Sequence, residues 1–223
     1  MKNNVNDTGF TLVEVLIAML MGGVVLAAVM ASFQVQHKTY LAQDEVVVMQ
    51  QNVRMAMDLL AQEIRTAGYD PTGNAGAGIT TATAGRFGFS LDSTEDGDTT
   101  DSNETITFGF SNLNDTNQDG IPNTGNAPLG RDTGAGFEQV AENFQALEFY
   151  YLLDDGTRTL APADLTKIRG VQVSLLARTA VADQNFTDTT TYTTASGTNW
   201  GPFNDGFRRQ LLIQTVICRN LGL

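Results

Sequence analysis

Gly9-Phe10-Thr11-Leu12-Val13-Glu14 opens the stretch that decides the reading of this chain, because the apolar run it starts continues to Phe33. Phe10 to Phe33 is 24 residues, and Glu14 is its only ionisable side chain. As an α-helix rising 1.5 Å per residue it would span about 36 Å, enough to cross a bilayer. A carboxylate five residues into such a helix costs roughly 2.5–3.5 kcal/mol on insertion scales. A charge in that position is a candidate functional site by default, and something must compensate it.

The residues before the run do not read as a cleaved secretory signal. Met1 to Gly9 holds only Lys2 and Asp7 besides the amine, the apolar run is too long for a signal core, and no Ala-x-Ala-like site follows it cleanly. Lys2 and the amine favour an N-terminus in the cytoplasm, with His37 and Lys38 arguing slightly the other way. Residues from about Ser32 onward are then expected outside the inner membrane.

A short polar leader, a glycine, and Phe10-Thr11-Leu12-Val13-Glu14 heading a long apolar helix together resemble a type IV prepilin. The resemblance implies that a membrane-bound prepilin peptidase cuts between Gly9 and Phe10. It also implies that the same enzyme methylates the new amine, leaving N-methylphenylalanine at Phe10. It gives Glu14 a role in assembly, facing the positive N-terminal amine of a neighbouring subunit inside an apolar filament core. A buried charge left alone is strongly destabilising, whereas a buried pair is tolerated and sets register. The alternative is an uncleaved signal anchor that happens to contain a glutamate.

Beyond Phe33 the pattern turns amphipathic. Val46, Met49, Val53, Met57, Leu60, Ile64 and Ala67 recur at steps of three and four, with Gln50, Gln51, Arg54, Asp58, Gln62 and Arg65 on the opposite side. No proline stands between Phe10 and Ala67, and Gly68 followed by Pro71 supplies the stop. One helix from Phe10 to Ala67 is therefore expected, lipid-facing first and sheet-facing later. Met49, Met55 and Met57 are read as ordinary core packing rather than a binding groove. Gly22-Gly23 is the place for flexibility or close helix approach. Major pilins commonly carry a proline in this region, and its absence here leaves open whether the helix melts on assembly.

The remaining residues read as strands joined by irregular connectors. Arg86 to Leu91 and Glu104 to Phe110 are expected strands, the second with Ile106, Phe108 and Phe110 on one face. Phe144 to Leu153 ends at Asp154-Asp155-Gly156, a hairpin signal, with Thr157 to Leu160 starting back. Val171 to Leu176 and Phe207 to Cys218 alternate as further strands, and Asn185 to Gly206 is a threonine-rich loop. Asp92 to Asp101 is expected to be a solvated acidic loop.

Gln51-Asn52-Val53-Arg54, Glu63 to Tyr69, Ala146 to Tyr151, the Val171 to Arg178 strand and Arg208-Arg209 are similar to minor pilins of the PilW type. Comparable patterns occur in the J-type minor pseudopilin of type II secretion systems, which is the alternative. The fold implied is α+β: a pilin fold, with a long N-terminal helix packed on an antiparallel β-sheet. The expected division is a prepilin leader at 1–9, a transmembrane and filament-core helix at 10–33, its amphipathic continuation at 34–67, and a sheet domain at 68–223. The function implied is a minor pilin taking part in pilus assembly or initiation at the inner membrane. Its partners would be prepilin peptidase, other major and minor pilins, the inner-membrane assembly machinery, and membrane lipid before assembly. Its location would be the bacterial inner membrane, single-pass with the C-terminal domain periplasmic, and then the pilus (fimbrium) at the cell surface.

A second candidate site lies at Asp115-Thr116-Asn117-Gln118-Asp119-Gly120-Ile121-Pro122-Asn123. Side-chain oxygens at Asp115, Asn117 and Asp119, the Ile121 carbonyl and Asn123 have the spacing of a calcium loop, with Gly120 at the sharp turn. Asn126 stands where an EF-hand has its bidentate glutamate, so this would be a shorter, weaker loop. The competing reading is a metal-free turn rich in Asn and Asp.

Nothing in the sequence reads as an active site, so an enzyme is not expected. His37 is the single histidine and Cys218 the single cysteine, and no phosphate loop, dinucleotide fingerprint or zinc spacing is present. Cys218 cannot form an intramolecular disulfide and sits in an apolar run, as a small buried hydrophobe would. A formal charge of −12 and a pI near 4.3 argue against nucleic acid as a partner. The rival from a different class is a tip-exposed adhesive or ligand-binding pilin, in which the Asn112 to Asn126 and Thr187 to Asn199 loops recognise a surface.

Overall fold

The computed structural model describes residues 9–222, so Met1–Thr8 of the expected leader lies outside the described residues. The chain divides into two compact units, the first ending at Asp44 and the second beginning at Glu45. The first is helical from Leu12, the start of helix α1 (Leu12–Ile64), and its residues are exposed almost throughout. That helix is long and apolar enough to cross a membrane.

The second unit is built on the amphipathic stretch of α1. Met49, Val53, Ala56, Met57, Leu60, Ala61 and Ile64 are buried, the face expected from the three-and-four spacing. Met55 is the exception among the methionines, since it lies off that stripe and is exposed. The helix ends at Ile64, and a turn carries the chain to Gly68, whose φ is +76°. Asn220 Nδ2 lies 3.3–3.4 Å from the carbonyls of Arg65, Thr66 and Ala67 and caps this end, and the Leu221 side chain packs over Gly68. The C-terminal tail is thus pinned without a disulfide.

Against this face lies one antiparallel sheet. Its strands are β1 (Ile79–Ala82), β2 (Arg86–Ser90), β3 (Thr105–Gly109), β4 (Ala127–Asp132), β5 (Phe137–Leu153), β6 (Arg158–Thr159), β7 (Ile168–Arg178) and β10 (Arg209–Ile217). The order is β1-β2-β3-β4-β5-β7-β10, with β6 paired to β5. A separate small sheet pairs β8 (Tyr192–Thr193) with β9 (Asn199–Trp200). Register sorts the side chains: Leu212–Leu175–Leu147, Gln214–Val173–Phe149 and Val216–Val171–Tyr151 form the rows that face α1. Ile106, Phe108 and Phe110 are all buried on the expected common side. Glu63 anchors the helix to β4 through Arg131, whose Nε reaches both carboxylate oxygens at 2.9–3.0 Å.

Where β5 lacks a strand neighbour, loops stand in. Leu147 N–H donates to the Gly120 carbonyl at 2.8 Å, and Phe149 N–H to the Ala84 carbonyl at 2.8 Å. Gly120 has a φ of +83°, and a Cβ there would run into the Leu147 carbonyl. Gly120→Ala should therefore lower the stability of the 34–223 fragment by about 2–5 kcal/mol, left-handed strain adding to overpacking. Chemical denaturation checks this, and a loss below 1 kcal/mol would mean the loop moves freely off β5.

Candidate functional site

Three charged arrangements invite a functional reading. The first opens α1. Thr11 N–H and Oγ both donate to one Glu14 carboxylate oxygen, at 2.8 and 2.9 Å, and Glu14 N–H donates back to Thr11 Oγ at 3.3 Å. This is a capping box: the side chains three residues apart satisfy each other's orphan backbone donors. The Thr-x-x-Glu spacing at Thr11-Leu12-Val13-Glu14 was the available signal, and Thr11 is the residue that sequence reasoning missed. Among the described residues no cationic side chain pairs with Glu14, so its charge is hydrogen-bonded but not neutralised. Gly9 and Phe10 precede the helix and are exposed.

The second is the Asp115 loop. Asp115 is buried and its two oxygens accept from Asp119 N–H at 3.3 Å and Gly120 N–H at 2.9 Å. Asn117 Nδ2 donates to Asp119 Oδ2 at 2.8 Å, while Asp119 Oδ1 accepts from Ile121 N–H. Asn123 turns away, its Nδ2 donating to Thr116 Oγ. The candidate ligands therefore share one loop, but bonds among themselves occupy them. Among the described residues no group of three or more His, Cys, Asp or Glu side chains is placed to hold a metal. Arg86 lies close by: burial lowers its pKa, opposed by the charges of Asp115 and Asp132.

The Asp92 turn repeats this geometry 23 positions earlier (115 − 92). Asp92 is fully buried and accepts from Asp96 N–H at 3.2 Å and Gly97 N–H at 3.1 Å. Glu95 and Gly97 have positive φ, as do Gln118 and Gly120 in the later loop. The acidic run is thus not solvated throughout, as its composition suggested. Asp92 and Glu104 are interior, and Glu104 accepts from the backbone of Ser93, Thr94 and Asp101. A short acidic side chain that can fold back on its own backbone satisfies itself without a cation.

The third arrangement fastens the threonine-rich segment. The side chain of Arg209 is fully buried; its NH1 reaches Asp188 at 2.8 Å, NH2 reaches Asp205 at 2.6 Å, and Nε donates to Gln145 Oε1 at 2.6 Å. The guanidinium also lies 4.0 Å over the Phe203 ring. Trp200, with Tyr192 and Phe203 beside it, packs on Ala146, Leu176 and Leu211 across the face of the sheet opposite α1. Glu148 is buried on the same side, held by Ser196 N–H and Oγ. So Asn185 to Gly206 is a packed cover. Both loops offered as recognition loops carry buried anchors, Asp115 in one and Asp188 and Thr194 in the other. Cys218 is buried, and its desolvation pushes the thiol up to about 12.

Residues 105–220 match the family described as type IV pilus-assembly protein W, and residues 5–30 match the prokaryotic N-terminal methylation motif. The first match spans more than half of the chain. The chain belongs to the type IV pilus-assembly protein W family. That places it with pilus-assembly proteins rather than with the type II secretion pseudopilins. Among solved structures it is similar to a type IV-like pilin from Thermus thermophilus, at 19% identity and a TM-score of 0.47, over 78% of this chain and 98% of that one. No curated protein matches it.

In this member of the PilW family the Arg209 cluster makes the cover sensitive to acid. The hydrogen bond from Arg209 holds the Asp205 pKa below its ordinary value. Burial works to raise that of Asp188, but bonds from Thr190, Arg209 and Tyr192 outweigh it and lower the pKa. Both carboxylates thus contribute stability above their unfolded values and lose it as pH falls through the folded ones, below about pH 4. Trp200 is the sole tryptophan and reports on the cover. Its fluorescence should shift in that window, before far-ultraviolet circular dichroism is lost. Arg209→Met should cost about 3–5 kcal/mol by stranding Asp188, and should abolish the separate acid step.

Proposed function

We propose that this chain is a minor, structural subunit of a type IV pilus, made as a prepilin and anchored in the inner membrane by Phe10–Phe33. The domain from Glu45 onward lies on the periplasmic side before assembly and on the pilus surface afterwards. Prepilin peptidase removes the residues through Gly9 and methylates Phe10. The observation that carries the reading is the Glu14 carboxylate, capped by Thr11 and, among the described residues, without a cation, at the head of the otherwise uncharged run Phe10–Phe33. In an apolar filament core a neighbour's N-terminal amine supplies the missing positive charge. The protein binds other pilins and the assembly machinery, and it catalyses nothing itself.

Intact-mass analysis should find a mature chain that starts at Phe10 and carries one methyl group. Gly9→Ala should reduce cleavage, and bulkier replacements should abolish it. A chain still starting at Met1 in a peptidase-competent cell overturns the proposal. Glu14→Ala should leave cleavage and the fold of the domain intact but reduce recruitment into pili. Recruitment equal to the wild type removes the electrostatic role.

A calcium site at Asp115, Asn117, Asp119, the Ile121 carbonyl and Asn123 is a second proposal, favoured by the buried Asp115 and the positive φ at Gln118 and Gly120. Binding requires Asn117 and Asp119 to give up their mutual bond, so the expected affinity is weak, with a Kd of about 10⁻⁴–10⁻³ M. At ten times Kd, calcium should stabilise the 34–223 fragment by about 1.4 kcal/mol, seen as a rise in Tm. Asp119→Ala should remove that rise. An unchanged Tm in the wild type at millimolar calcium leaves the loop as a self-bonded turn.

A further inference from the structure

The two ends of the sheet are protected very differently. β1, at one end, is four residues long, is bulged between Ile79 and Thr81, and packs against the 3₁₀ turn η1 (Leu165–Lys167). These are the usual means by which a sheet keeps a stray strand from pairing with its edge. β10, at the other end, has none of them. It pairs with β7 over nine consecutive residues without a register shift. Its middle reads Leu211-Leu212-Ile213-Gln214-Thr215-Val216-Ile217, with no charge, no proline and no glycine. Alternate residues of an edge strand turn their N–H and C=O groups away from the one neighbour they have. Gln210 Nε2 folds back onto the Leu211 carbonyl at 3.0 Å, and among the described residues no other segment bonds the outer side of Leu211 to Ile217.

The side chains agree with the backbone. Ile213, Thr215 and Ile217 are exposed, on the face opposite α1. The aromatic cover ends at the Leu211–Leu176–Ala146 row, and Ser196 and Ala195 bond Glu148 and Ser174 in the next. The Thr215–Gln172–Tyr150 and Ile217–Gly170–Leu152 rows lie beyond it. The charges nearest in sequence flank the run: Arg209 is turned inward to Asp188 and Asp205, and Arg219 follows the strand. A neutral, straight edge rich in β-branched residues is complementary to another strand, because its free amide and carbonyl groups are answered only by an extended backbone.

We propose that the free edge of β10 is a strand-addition site for an extended segment of a different pilus subunit, which extends the sheet past Leu211–Ile217. The proposal rests on the pilus reading above. A second copy of this chain is the poorer occupant. Each copy carries a formal charge of −12, so like repels like. A two-fold β10–β10 pair also reverses the direction of the Glu45–Ile64 helix between copies, whereas subunits drawn from one membrane into one pilus enter with that helix in the same sense.

The test uses the full-length chain in cells that make pili. A photo-crosslinking residue at Thr215 should give an adduct with another prepilin-like subunit, identified by mass spectrometry, with the crosslink inside an extended segment of it. The same residue at Val181, which is exposed and apolar but off the edge, should give none. The double variant Ile213→Lys/Ile217→Lys should reduce recruitment into pili by about tenfold, since two cross-strand pairs are lost and two charges face the incoming strand. Its cleavage after Gly9 and the Tm of its domain should match the wild type. Adducts only with a second copy, or equal adducts from Thr215 and Val181, overturn the proposal. So does wild-type recruitment of the folded double variant, which leaves the pilin reading intact. A wild-type chain that is never shortened to Phe10 overturns both. Should the double variant fail to fold, the Thr215 adduct decides alone.

Discussion

One face of the helix between Glu45 and Ile64 must be covered by one face of a single sheet, and the rest of the domain follows from that. Met49, Val53, Met57, Leu60 and Ile64 lie in a stripe that crosses several strands. Each strand can answer with only every second side chain, because the pleat sends the others to the far side. The inward set of β5, β7 and β10 is therefore apolar in three successive rows, broken only by Gln214. The outward set poses a separate problem that the helix cannot solve. The segment from Asn185 to Gly206 solves part of it, bringing Trp200 over Leu176 and Ala146. It does so with a buried ion pair, which specifies one docking geometry rather than adding much net stability. Rows beyond that cover stay open.

The connectors complete the same sheet. β5 runs for 17 residues, longer than any strand beside it, and its buried amides need acceptors wherever a partner strand is missing. Leu147 and Phe149 find them in the carbonyls of Gly120 and Ala84. An unanswered buried amide would cost about 1–3 kcal/mol at each position. Left-handed backbone at Gln118 and Gly120 aims the loop so that its carbonyl meets β5. Asp115 fixes that turn by accepting the two N–H groups that the turn leaves free. The aspartate has a structural duty whether or not a cation ever joins it, and Asp92 performs the same duty in the earlier loop.

These differences explain what could be read from the sequence. The buried stripe of α1 and the strands at 86–90, 105–109, 168–178 and 209–217 were legible, because periodicity reports directly which side faces an apolar partner. β5 begins at Phe137 rather than Phe144, and β1 and β4 carried no usable signal. Ala127-Pro128-Leu129-Gly130 does not look like a strand, and its place is imposed by β3 and β5 on either side. Composition also misplaced Asp92, since acidic residues read as solvated unless one knows which backbone donors will converge on them. The packed threonine-rich segment was hidden for a related reason: its anchors are Arg209, Asp188 and Trp200, distant in sequence and joined only by the fold. At the helix start Glu14 stood out by its setting, whereas its bond to Thr11 needed only the local spacing.

Glu14 differs from Asp92, Asp115 and Glu104, and the difference is physical. Asp92, Asp115 and Glu104 have their charge spread over several backbone donors, held by a packed interior that cannot rearrange to follow them. Among the described residues Glu14 has donors from Thr11 only, and the other side chains from Phe10 to Phe33 are uncharged. In water that is sufficient, because solvent completes the shell. In hydrocarbon two hydrogen bonds satisfy lone pairs but leave the net charge without a counter-charge or a high-dielectric medium. Thr11 cannot remedy this, since a hydroxyl and an amide bring dipoles and no charge. A cation brought by another molecule can, and its attraction is strong only where solvent is excluded. In the proposed pilus the same carboxylate would be tolerable in a lone subunit near the membrane surface and better satisfied between subunits. On the proposed reading, that difference in free energy, rather than any property of the sheet domain, would give the apolar helix a preferred partner and a preferred register.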